Sequence, residues 1–158
     1  MLSELAQFVL TEDTSVKMFI TNVADHYTTV LESAVHHHLD YFDTFDWLLY
    51  QDGHVLLRRD ESEYMIINVE NETAIDAGCM IPETQTPQFW WDFPASETKE
   101  HLRDIITVRA LLPIAEADVD TQILRILNED EKTVVRLRVD AYTTDTQTTL
   151  LNRFTVLP

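Results

Sequence analysis

The segment Tyr41-Phe42-Asp43-Thr44-Phe45-Asp46, followed by Leu48-Leu49 and then Asp52-Gly53-His54-Val55-Leu56-Leu57-Arg58-Arg59, constrains the fold of this chain most. It reads as a strand end, a short connection, a turn at Asp-Gly and a strand closing on adjacent arginines. Glycine supplies the positive φ that a tight turn needs. A second apolar run, 64–69, lies beyond the polar Asp60-Glu61-Ser62-Glu63. The two runs make a β-hairpin.

The rest of the chain divides by periodicity. Residues 1–12 carry Leu2, Leu5, Phe8 and Val9 at roughly helical spacing, and 13–20 reads as a strand. Asn22 is placed to cap a helix over 23–35, with Val23, Tyr27, Val30, Leu31 and Ala34 on one stripe. Residues 70–95 are loop-rich, with Pro82, Pro87 and Pro94. Ser96 is placed to cap a helix reaching Ile106, with Glu97 in its first turn. Strands follow at 114–127, 133–142 and 150–157, with a turn at 128–132. Many strands with two or three helices give an α+β chain whose antiparallel sheet is expected to curl into a barrel or half-barrel.

Charge limits the partners. The 158 residues hold 28 acidic and 11 basic side chains, a formal net charge of −17. Such a surface repels nucleic acid and anionic lipid at long range. The length suits a single domain spanning 1–158. No apolar run approaches the ~20 residues of a membrane span, and no basic-then-apolar leader opens the chain. Cys79 stands alone, so an intrachain disulfide is excluded, and the cytoplasm is the default compartment.

Several groups invite chemistry. His36, His38 and Asp40 alternate along one strand face and invite a metal reading, but this is not a strong ligand motif and a polar strand entry is the favoured reading. Glu116, Asp118 and Asp120 alternate with Ala117, Val119, Thr121 and Ile123, the pattern of a half-buried strand. The aromatic run 89–94 reads as a cap over the open end of a barrel, or as an exposed platform or partner surface. Cys79 beside Gly78 reads as a buried thiol rather than a nucleophile. With only Gly53 and Gly78, the chain cannot build a glycine-rich phosphate loop.

The order Tyr41-Phe42-Asp43-Thr44, then Leu56-Leu57-Arg58-Arg59, then Leu112-Pro113-Ile114-Ala115 and residues 124–134, resembles the CYTH family, the triphosphate tunnel fold. The resemblance implies a cation-lined tunnel holding a triphosphate with Mg²⁺ or Mn²⁺. Its E-x-E-x-K strand matches Asp13-Thr14-Ser15-Val16-Lys17, where Ser15 replaces a carboxylate. Its phosphate-binding cations correspond to Lys17, Arg58, Arg59 and Arg109, and its metal ligands to Asp13 with Glu116, Asp118 and Asp120. Leu57 and Asn68 stand where the family carries cations, and the 116–120 strand is acidic where the family carries arginines. Arg136 and Arg138 on the returning strand suggest a charge swap, with opposite charges paired across the hairpin.

Two functions follow from the resemblance, and a cation-binding module is a third reading. One is a catalytically degenerate domain that binds a small ligand or a protein partner. The other is a metal-dependent inorganic or organic triphosphatase, or a class IV adenylate cyclase-like enzyme. Family relatives can carry a helical CHAD domain, so the chain is also expected to be an excised N-terminal domain whose open sheet edge pairs in a homodimer.

Overall fold

A computed structural model describes residues 6–71, 73–144 and 152–157. Among them are nine strands and three α-helices, and every strand ladder recorded is antiparallel. The chain is α+β, as its periodicity implies. Two compact units form, Met1–His37 with Asp118–Pro158, and His38–Ala117. No described helix is long and apolar enough to cross a membrane.

The expected hairpin anchors the second unit. β3 (Val35–Thr44) runs into this unit and leads through a short α2 (Leu48–Gln51) to β4 (His54–Arg59) and β5 (Glu63–Asn68). Gly53 makes the turn at φ 80°. The register sets Asp40 against Arg58, Arg58 against Tyr64, and Arg59 against Glu63. A two-residue β6 (Cys79–Met80) adds to β5, with Cys79 opposite Tyr64. Gly78 is needed here: its φ is 71°, and a Cβ would lie 2.6 Å from the Tyr64 carbonyl oxygen.

α3 (Glu97–Ile106) begins as its sequence predicts, with the Ser96 hydroxyl accepting from the Lys99 amide at 3.2 Å. Its apolar stripe closes a core of Phe42, Leu49, Leu56, Tyr64, Ile66, Phe93, Leu102 and Ile106. Each fully buried aliphatic in that set contributes about 1.5–3 kcal/mol of transfer free energy. The aromatic run splits between roles. Phe93 enters this core and Trp90 packs against it, whereas Phe89 and Trp91 stack on each other at 4.6 Å. The run therefore serves largely as core of the unit.

The first unit departs from expectation at its start. Residues 7–9 form β1 (Gln7–Val9) rather than part of a helix, and 1–5 lie outside the described residues. Residues 13–20 do not form a strand. Ser15 accepts from the Met18 amide at 3.2 Å and opens α1 (Val16–His26), so the helix comes earlier than the 23–35 stripe suggests. Val16, Phe19, Ile20 and Val23 fit helical spacing as well as alternation fits a strand. Tertiary packing decides: Phe19 stacks on Phe154 at 4.6 Å, and Phe154 on Phe8 at 4.9 Å. Asn22 lies inside the helix and its carbonyl oxygen meets His26 Nδ1 at 2.8 Å.

The remaining strands of this unit are β2 (Thr29–Leu31), most of β7 (Leu111–Leu127), β8 (Thr133–Thr143) and β9 (Arg153–Leu157). β8 lies between β7 and β9, and β1 pairs with β9. The β7–β8 turn is held by Asn128, whose side-chain oxygen accepts from the Asp130 and Lys132 amides. A register shift lies at Ile126/Leu127. In neither unit does a recorded ladder close a sheet on itself among the described residues. The α+β antiparallel architecture stands, without a closed barrel.

Candidate functional site

The Asp-Thr pair of the signature segment is structural. Asp43 is fully buried and its Oδ1 accepts from the amides of Thr44 (2.7 Å) and Leu49 (2.9 Å). Oδ2 accepts from the Tyr50 amide at 3.0 Å, and the Thr44 hydroxyl accepts from Leu48 at 2.9 Å. Together they satisfy the amides that open α2, which has no partners of its own for them. Trp47 enters that helix at φ 57°, a left-handed conformation held by these bonds.

With Asp43 fixed, alternation along β3 places Asp40 and His38 on a common face. His38 Nε2 lies 3.4 Å from Asp40 Oδ1. Glu116 joins them, and one ligand atom from each of His38, Asp40 and Glu116 lies within 4.8 Å of the others. The site grades from buried Asp40 through half-buried His38 to exposed Glu116. The backbone of His38 is clamped by Asp60, which accepts from its amide at 3.0 Å and donates to its carbonyl oxygen at 2.9 Å.

Behind Asp40 stands Arg58. Its Nε and Nη2 approach Asp40 Oδ2 at 2.9 and 2.8 Å, and its guanidinium lies 5.4 Å from the Phe42 ring centre. Burial opposes the charge on Arg58, and Asp40 and Tyr64 together outweigh it, so the guanidinium is held more firmly protonated than usual. The next residue in the row is Tyr64, 1% exposed, whose hydroxyl lies beside Arg58 without meeting hydrogen-bond geometry. Burial raises its pKa. Burial likewise raises the pKa of Cys79, which keeps it a thiol and unsuited to nucleophilic work.

Arg59 and Arg109, two of the other expected cations, are also engaged. Arg59 donates to Glu63 at 2.7 Å, and Arg109 pairs with Asp46 at 3.1 Å. The open depression of about 390 Å³ beside Arg58 is lined by Glu61, Glu83 and Thr84. Lys17 lies exposed on α1, and Asp13 is exposed in the turn before it, both in the other unit.

Asp118 and Asp120 flank His36 in the first unit. His36 Nδ1 meets Asp120 at 2.9 Å and Nε2 meets Asp118 at 3.4 Å. The sequence places His36, His38 and Asp40 on one face, but the two histidines serve different carboxylate pairs. The hydrogen bond with Asp120 raises the His36 pKa, against a smaller loss from burial. A folded-state pKa above the unfolded one makes this contact stabilising below about pH 6.5 and loses it as pH rises through the folded value. We expect an NMR titration of the His36 ring to give a midpoint above the ordinary imidazole value. Asp120→Asn should move it back down; an unchanged midpoint would remove Asp120 as the cause.

The hairpin register does not set the acidic residues of β7 directly opposite Arg136 and Arg138. The hairpin register sets Asp118 opposite Thr143, Asp120 opposite Ala141, Arg138 opposite Ile123 and Arg136 opposite Arg125. The Asn128 turn and the shift at Ile126/Leu127 fix that register, and the charges find other partners. Arg138 donates to the buried Asp140 at 3.1 Å, Thr121 donates to the same carboxylate at 2.7 Å, and Arg125 pairs with Glu32 at 3.2 Å. Arg136 is exposed.

No protein-family model and no curated protein matches this chain.

Proposed function

We propose that this chain is a CYTH-like domain, descended from a tunnel-type half-barrel, that has lost triphosphate chemistry and works as a binding module. One observation carries the reading: Arg58, Arg59 and Arg109 are each answered by a carboxylate, Asp40, Glu63 and Asp46. A triphosphate would have to displace those carboxylates and then sit against them. At an effective dielectric of 20, one like-charge contact near 4 Å costs on the order of 4 kcal/mol. Glu61 and Glu83 at the depression beside Arg58 add to that repulsion. With a net charge of −17, a cationic ligand or a basic protein surface suits the chain better than a polyanion.

The test is thermal unfolding and phosphate release with millimolar tripolyphosphate, in Mg²⁺ and then in Mn²⁺. The melting temperature should stay unchanged and no phosphate should appear. A ligand that binds the native state must raise that temperature by mass action. A clear rise, or turnover, would return the chain to the metal-dependent triphosphatases.

A further inference from the structure

We propose that His38, Asp40 and Glu116 form a binding site for a divalent transition-metal ion, with Zn²⁺ the favoured occupant over Mg²⁺ and Ca²⁺. The inference goes beyond the binding-module reading and does not depend on the family resemblance.

The donor set is one imidazole and two carboxylates converging within 4.8 Å. Imidazole suits Zn²⁺ and its first-row neighbours, whereas Ca²⁺ takes six to eight oxygens and Mg²⁺ keeps near-octahedral oxygen ligands. The spacing also fits. Two ligands about 2.1 Å from one ion at the tetrahedral angle stand about 3.4 Å apart. His38 Nε2 and Asp40 Oδ1 are 3.4 Å apart, beyond the usual N–H···O range. Glu116, exposed on β7, brings a carboxylate oxygen within 4.8 Å of a ligand atom of each. A fourth position is then left to water.

The surroundings hold the ligands in place. Arg58 binds Asp40 through Oδ2, which orients Oδ1 toward His38 and leaves it as the ligand atom. Such outer partners fix the geometry of metal ligands. A second polar group stands in the row behind: Tyr64, almost wholly buried, with an unpaired hydroxyl beside Arg58. Two carboxylates and one guanidinium leave about one negative charge, which offsets half the charge of a dication.

The other imidazole with two carboxylates supplies an internal comparison. His36 reaches Asp120 through Nδ1 and Asp118 through Nε2. The two ring nitrogens point away from each other, so these carboxylates cannot share one ion with that ring. His36 bridges, and His38 converges.

Isothermal titration of the metal-free chain with ZnCl₂, MgCl₂ and CaCl₂ tests the site, with circular dichroism confirming the fold of each variant. We expect one equivalent of Zn²⁺, bound at least about 10-fold more tightly than Ca²⁺ or Mg²⁺. His38→Ala and Glu116→Gln should each weaken Zn²⁺ by at least about 10-fold, and His36→Ala should leave it unchanged. Both ligand variants alter side chains outside the apolar core, so they should fold. Absence of a Zn²⁺ heat, equal affinity for Ca²⁺, or a loss confined to His36→Ala would each overturn the proposal. Zn²⁺ binding accompanied by triphosphate hydrolysis would uphold the site while removing the non-catalytic reading.

Discussion

Replacing Asp43 by alanine is expected to destabilise the protein by about 3–5 kcal/mol, read as a fall in the urea midpoint at unchanged slope. The carboxylate is fully buried and accepts from three backbone amides, those of Thr44, Leu49 and Tyr50. Hydrogen bonds to a charged acceptor are each worth about 1.5–3 kcal/mol, and a buried donor left without a partner adds its own desolvation cost. The sum is capped because α2 is short and partly exposed, so water reaches some of the freed amides. Asp43→Asn should cost less, since its carbonyl oxygen still serves Thr44 and Leu49 while its amide meets the Tyr50 donor. A loss below about 1 kcal/mol for alanine would mean that α2 is held by Leu49 packing alone.

Asp40→Ala is expected to cost about 3–5 kcal/mol, because it strands a buried guanidinium. Arg58 is only 19% exposed in its side chain and Asp40 12%. The second step carries more information. Replacing both residues, Asp40→Ala with Arg58→Met, should recover much of the loss, since the cost lies in the unpaired charge and not in the missing attraction. Equilibrium unfolding in chelator keeps metal out of this comparison. Additive losses in the double variant would show that the two side chains act independently.

Local sequence carried a good part of this fold. The Asp52-Gly53 turn, the 54–68 hairpin and the Ser96 cap follow from short-range rules, because each depends on φ, alternation or a side chain reaching three residues ahead. The stretch 13–20 obeyed a short-range rule too, but two rules fitted it at once. Ser15 can cap a helix or sit in a strand, and the stack of Phe19 on Phe154 selects the helix. That choice removes Lys17 and Asp13 from the strand on which the resemblance had set them.

The candidate site was legible only in fragments. The alternation of His38 and Asp40 was visible in the chain, as was the acidic run containing Glu116. Their convergence was not, because it joins residues 76 positions apart. The partners of Arg136 and Arg138 were hidden for a related reason. A hairpin's register depends on its turn and on any bulge, and here it sets Arg136 against Arg125 and Arg138 against Ile123, while Asp118 and Asp120 fall opposite Thr143 and Ala141.

The amino-acid sequence determined the element types over most of the chain, the α+β class and the strong negative charge, since propensity, capping and composition are local or additive properties. Tertiary structure alone decided which carboxylate meets which cation. Ion pairs and ligand clusters depend on distances of a few ångströms between residues far apart in the chain, and strand register sets those distances. Asp40 is fixed by Arg58 one strand away, and that contact through Oδ2 leaves Oδ1 facing His38.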